Sequence, residues 1–214
     1  MAAVRGKFIT FEGIEGVGKS TQVRRLAEWL REGKRHVLET REPGGAPTAE
    51  AIRTVLKESE AGTVPPESEL LLIFAARAAH VQTLLRPALE NGRWVVCDRF
   101  VDASYAYQGA GRGLGAARVA ELAAWIVPDL MPDLTLVLDL PVGEALARMR
   151  GRGERDRFEQ EADGFFRRVR DCYLARAAAE PERMRVIDAS GEPAEVAARC
   201  RAAVREQWPA EFPA

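Results

Sequence analysis

With 214 residues, 47% hydrophobic and 29% charged, the chain has the size and balance of one α/β domain with a substantial core. A net charge of −1 excludes a global basic field that would gather nucleic acid, and three scattered cysteines without a CxxC pair point to reduced thiols. No apolar run approaches the roughly 18 residues of a membrane span, and the first residues lack the apolar core of a secretory signal, so a cytoplasmic protein without a membrane partner is expected.

Apolar runs suited to buried strands alternate with helical patterns along the chain. Strands are expected at 7–12, 36–40, 94–98, 134–140 and 185–189. Helices are expected at 19–31, 48–57, 67–89, 116–126, 162–179 and 193–207, with Gly33 and Gly92 at helix ends. Such alternation predicts a parallel sheet covered by helices on both faces. No stretch reads as a linker or a repeat, so residues 1–214 are expected to form one domain. The two histidines, His36 and His80, are far apart and suggest no metal site.

The first strand runs into Gly13-Ile-Glu-Gly-Val-Gly-Lys-Ser20, which satisfies GxxxxGK(S/T) between a strand and a helix. Glycines 13, 16 and 18 let backbone N–H groups around Val17 point at phosphate oxygens, and the following helix N-terminus adds partial positive charge. Lys19 can reach the β- and γ-phosphates of ATP, Ser20 can ligate Mg²⁺, and Thr21 continues the cradle. Glu15 is the anomaly, because its charge opposes theirs. A carboxylate there makes sense facing a donor: a metal-bound water, a hydroxyl of an acceptor, or an arginine of a mobile cover.

A phosphate loop alone serves switches, motors and kinases. The NKxD base-reading motif of GTPases is absent. A small-molecule kinase also needs an acceptor site and a cover that excludes water. Thr40-Arg-Glu42-Pro-Gly-Gly follows the second strand, at the sheet edge where ligands collect. Asp98 and Arg99 end the third strand at that edge, where an Asp can hold Mg²⁺ and an Arg can grip a phosphate. Residues 102–113 read as a loop rich in hydroxyls and tyrosines, suited to a flat base and a sugar. On the helix at 67–89, Phe74 and Arg77 are spaced i, i+3 and share a face. Phe74 is core, or it stacks a base while Arg77 bonds to its edge. The glycine-interrupted arginines between 148 and 161 read as a mobile lid that neutralises transferring charge.

Together, Phe11–Thr21, TREPGG, AARAAH, CDRF, YAYQGAGRG and the basic segment at 150–161 resemble bacterial thymidylate kinases, of the P-loop nucleoside-monophosphate kinase family. The resemblance covers nearly the whole chain. It implies a five-stranded parallel sheet flanked by helices, a homodimer, and Mg²⁺-dependent transfer of the ATP γ-phosphoryl group to dTMP. It further implies that Arg53 and Arg99 hold the dTMP phosphate and that Arg77 bonds to thymine. Ser104 and Gln108 stand where base and phosphate are contacted, Tyr107 where the ribose 2′ position is crowded, and Glu15 near the acceptor 3′-hydroxyl. Glu42 and Asp98 are expected among the acceptor contacts, Asp98 also with the metal. Arg152 first, then Arg148, are expected to stabilise the transferring phosphoryl group. The stacking aromatic of the family falls here at Ile73, so either Phe74 has taken over stacking or Ile73 caps the base with a plain apolar surface. Another P-loop deoxynucleotide or deoxynucleoside kinase, or a slow ATP-dependent switch, are the rival readings.

Overall fold

A computed structural model describes residues 5–60, 63–150 and 163–212. Five short apolar runs form β1 (Phe8–Glu12), β2 (Val37–Arg41), β3 (Trp94–Asp98), β4 (Leu134–Asp139) and β5 (Met184–Asp188). All pair in parallel, in the order β2-β3-β1-β4-β5. The fold is thus the expected five-stranded α/β sheet. The register aligns the strand ends: Phe11 lies opposite Asp98, and Asp98 opposite Arg41. The residues following β1, β2 and β3 therefore emerge side by side, and that edge is where the site forms.

Helices cover both faces because the central strands are apolar on both sides. One core packs β1 and β4 against α1 (Lys19–Glu32), α8 (Asp163–Ala179) and α9 (Pro193–Gln207), through Leu26, Tyr173 and Val204. The other packs β3 against α3 (Pro66–His80), α4 (Arg86–Glu90) and α6 (Ala116–Ile126), through Phe74, Leu89 and Val119. The short helix α2 (Pro47–Glu58) lies against α3.

Three expectations are corrected. The helix expected over 67–89 is divided by a π-helical stretch, Val81–Leu85, before Pro87 enters α4 without a backbone N–H to satisfy. The polar stretch expected as a loop is helical: α5 (Val101–Ser104) continues as a π-helical stretch, Tyr105–Gly111. Its glycines suggest irregularity, but packing against α8 overrides propensity, and a Cβ on Gly111 would sit 2.6 Å from the Phe165 ring. Finally, residues 148–150 of the expected lid belong to α7 (Val142–Arg150), and the remainder of that lid lies outside the described residues. At the end of α1 the left-handed position is Lys34 (φ 61°), not Gly33 (φ −74°). Among the described residues no helix is long and apolar enough to cross a membrane.

Candidate active site

The loop after β1 makes the first half of the site. Gly16 adopts φ 80°, and a Cβ there would lie 2.1 Å from the carbonyl oxygen of Ala145, so no side chain fits. Gly18 caps α1 in the left-handed region (φ 95°), which turns the chain into the helix at Lys19. The Lys19 ammonium is folded back onto the loop, donating to the carbonyls of Gly13 (3.0 Å) and Ile14 (2.7 Å). Burial, followed by the nearby Arg99 charge, pushes its pKa down to about 8. Ser20 Oγ donates to Asp98 Oδ2 (2.8 Å) across the β1–β3 pair, while Asp98 Oδ1 is buried with no hydrogen-bond partner among the described residues. A hydroxyl and an unsaturated carboxylate oxygen beside a phosphate loop are hard oxygen donors of the kind a divalent cation takes. Among the described residues no cluster of three His, Cys, Asp or Glu side chains forms a fully protein-made metal cage.

Arg99 joins the two halves. It is one of two non-glycine residues at positive φ (72°) among the described residues, pinned by its N–H to Phe11 O (2.9 Å). Its guanidinium donates to Gly13 O, Tyr173 OH, Tyr107 OH and Glu15 Oε1, the last at 2.7 Å. Burial opposes its charge, but Glu15 and the two tyrosines more than compensate and hold its pKa well above the ordinary value. Glu15 is fully engaged: its other oxygen accepts the Tyr107 hydroxyl. Among the described residues, the donors Glu15 faces are an arginine at a strand end and a tyrosine; the lid arginines Arg152, Arg155 and Arg157 lie outside them. Beneath them Glu12, wholly buried, accepts Phe100 N–H and Tyr173 OH, both at 2.7 Å. Burial, with Asp102 nearby, pushes its pKa up to about 8.

The second half is a cavity between α2, α3 and α5. Its wall includes Ile73, Arg77, Ser104, Tyr107 and Gln108, with Arg53 and Arg99 at one end. Ile73 faces this space; Phe74 does not. Phe74 is 2% exposed and lies in the core, its ring 4.6 Å from the Arg77 guanidinium. The i, i+3 pairing is real, but it serves to support the arginine from behind. Arg77, itself 1% exposed, donates to Glu42 Oε2 (2.8 Å), Ser104 Oγ (3.0 Å) and Phe100 O (3.0 Å). Gln108 donates its amide to Glu69 (2.8 Å), which turns the amide oxygen into an acceptor available for other contacts. Arg53 donates to Pro43 O (2.8 Å). Arg148 stands apart on α7 and donates to Ala189 O (3.2 Å), and Arg152 lies outside the described residues. Glu12, Tyr173 and Glu69 escape sequence reading because they contact the site only through other side chains.

A parallel sheet whose first strand enters a GxxxxGKS turn, with a second cavity sharing its edge, defines a P-loop nucleotide-dependent phosphotransferase. Residues 11–200 match the family model for thymidylate kinase. The chain is 56% identical over 191 residues to a thymidylate kinase of Pseudomonas fluorescens (strain Pf-5), covering 89% of this chain and 91% of the relative. It is 50% identical over 207 residues to that of Alcanivorax borkumensis, covering 95% and 99%. Among solved structures, a thymidylate kinase from Ehrlichia chaffeensis superposes with a TM-score of 0.77 at 33% identity, covering 94% of this chain and 99% of that one. This chain belongs to the thymidylate kinase family.

Proposed function

We propose that the protein transfers the γ-phosphoryl group of ATP to dTMP, giving dTDP and ADP, in the cytoplasm. One observation carries this reading: the phosphate-loop cavity and the Ile73–Arg77 cavity share Glu15, Glu42, Arg53, Lys57 and Arg99 as common wall. A donor phosphate and an acceptor phosphate placed in these cavities meet at Arg99.

On this reading the loop amides and Lys19 hold the ATP phosphates, and Arg53 and Arg99 hold the acceptor phosphate. Ile73 caps the base, and Arg77 offers N–H donors to a carbonyl on its edge. Tyr107 sits against the sugar, with Glu15 and Arg99 holding its hydroxyl in place. Ser20 and Asp98 fit Mg²⁺, which when bound neutralises phosphate charge. The remaining work is positioning and charge stabilisation, and no strong general base is required. Arg152 is proposed to approach the transferring group from the lid, and Arg148 from the end of α7 that leads into it.

Acceptor-dependent ADP release, measured with dTMP, dUMP, dCMP and AMP, tests the assignment. Turnover that requires dTMP supports it. Turnover independent of any acceptor replaces it with a nucleotide switch, and turnover with thymidine alone replaces it with a nucleoside kinase. A homodimer is proposed from exposed apolar side chains on neighbouring helices: Val55 (54% exposed), Leu71 (58%) and Trp125 (77%). Sedimentation at twice the chain mass, reverting to the single mass in Trp125→Asp, checks it.

A further inference from the structure

Behind Arg77 runs a buried chain of polar groups that the transfer chemistry does not use. Thr40 and Glu42 are two residues apart at the end of β2, so both point to the same face, toward α3. There they bracket His80, which is fully buried. His80 Nδ1 lies 3.0 Å from Glu42 Oε1, and Nε2 lies 2.8 Å from Thr40 Oγ1. The other oxygen of Glu42 accepts Arg77 Nε at 2.8 Å. Gly45 closes the space: it adopts φ 83°, and a Cβ there would fall 2.4 Å from Thr40 Oγ1 and 2.7 Å from His80 Nε2.

The donor directions follow from the chemistry. A carboxylate paired with arginine only accepts, so His80 donates from Nδ1 to Glu42. In the neutral ring Nε2 is then the acceptor, and the Thr40 hydroxyl donates to it. The result is a directed relay, Thr40 to His80 to Glu42, ending in Arg77. Each oxygen of Glu42 has one partner, and the carboxylate cannot rotate without breaking one of these bonds in a dry site. Glu42 in turn fixes the rotation of the guanidinium about its Nε–H, while Ser104, Phe100 and the Phe74 ring fix it from the other sides.

We propose that His80 is a specificity-positioning residue: through Glu42 it locks Arg77 so that its N–H fork meets the base edge in one fixed orientation. This rests on the reading of the cavity as the dTMP site. Thymine presents a carbonyl at ring position 4, and cytosine presents an amino group there. A fixed donor fork favours the carbonyl and opposes the amine. A loosened fork loses the favourable contact with dTMP while relieving the clash with dCMP.

The test compares wild type with His80→Leu, which keeps bulk and removes the donor, and with His80→Asn, whose amide N–H stands close to where Nδ1 stood. Read out are the KM for dTMP, the competitive inhibition constant of dCMP, and the KM for ATP. Losing a hydrogen bond to a charged group changes affinity by about tenfold or more. His80→Leu is expected to lower the preference for dTMP over dCMP by about tenfold, with the ATP KM unchanged. His80→Asn is expected to keep that preference within about twofold of wild type. Partial unfolding reduces the active fraction for all substrates alike, so it leaves the ratio unmoved. Should His80→Leu not fold, Thr40→Val removes only the outermost donor and is expected to lower the ratio about threefold. An unchanged ratio in folded His80→Leu, or in Thr40→Val, overturns the relay, as does a loss in His80→Asn as large as that in His80→Leu. Absence of dTMP turnover in the wild type overturns instead the acceptor assignment on which it rests.

Discussion

The two halves of the cleft are built in different ways. The phosphate-loop half is largely contiguous: Gly13 to Ser20 supply the turn, the amides, Lys19 and a hydroxyl, with Asp98 and Arg99 joining from the end of β3 and Glu42, Arg53 and Lys57 from the wall shared with the other half. The acceptor half is assembled from β2, α2, α3 and α5, and its central side chain, Arg77, is held by Glu42, Ser104 and Phe100 from two other segments. In the first half the Lys19 ammonium donates to loop carbonyls, contacts that ligand phosphates can replace. In the second the Arg77 charge is already compensated by buried Glu42, so it doubles as structure. The difference predicts that Lys19 can be removed without losing the fold, whereas removing Arg77 undermines it.

The largest effect on folding is expected for Arg77→Leu. It strands the Glu42 carboxylate, 5% exposed, in the interior. Breaking a buried pair by removing one partner costs about 3–5 kcal/mol, a loss read by chemical denaturation. In contrast, Lys19→Ala is expected to retain a near wild-type denaturation midpoint while kcat falls about 10²- to 10³-fold, as when a charge-stabilising donor is deleted elsewhere. A large loss of stability in Lys19→Ala would erase the comparison.

Ile73→Ala sharpens it from the acceptor side. Removing part of an apolar cap costs about 1–2 kcal/mol, so the KM for dTMP is expected to rise roughly tenfold with the KM for ATP unchanged. If Phe74→Leu has the larger effect on dTMP, the base is capped from the core side after all.

The smallest effect concerns pH. Lys19 has its pKa lowered to about 8 in the free protein. Phosphates bind the protonated amine, so ATP affinity is full below pH 8 and declines as pH rises through it. At pH 8.5 the expected loss relative to pH 7 is roughly fourfold. Glu12, raised to about 8, ionises over the same range and acts in the same direction, by adding negative charge near the loop. Calorimetric titration of Lys19→Arg separates the two, because a bend that persists in that variant belongs to Glu12.

Legibility in the sequence follows the same division. The strand–helix alternation gave the sheet, because five apolar runs with helical spacers admit few other arrangements. The loop, with Lys19 and Ser20, was readable because a short contiguous motif specifies its own geometry, and Asp98 and Arg99 because they end a strand at the same sheet edge. The choice between Ile73 and Phe74 was not readable. One residue rotates a helix position by about 100°, and only packing into the cluster that also holds Phe100 and Phe8 settles which faces the core. The π-helical Tyr105–Gly111 stretch was hidden because its glycines fit a loop equally well. The partner of Glu15 was hidden because Arg99 and Tyr107 reach it from the residue after β3 and from the π-helical stretch after α5. His80 was legible only as a solitary histidine, although Thr40 and Glu42, spaced by two at a strand end, carried a signal that they share a face.

The central claim is that these halves form one continuous cleft, and a single ligand spanning both tests it most directly. Adenosine and thymidine joined through a five-phosphate chain can be titrated calorimetrically against wild type, Lys19→Ala and Ile73→Ala. One continuous cleft predicts one molecule bound per chain, at least a hundredfold tighter than ATP or dTMP alone, and weakened by both substitutions. Affinity no greater than that of ATP, with indifference to Ile73→Ala, would contradict it.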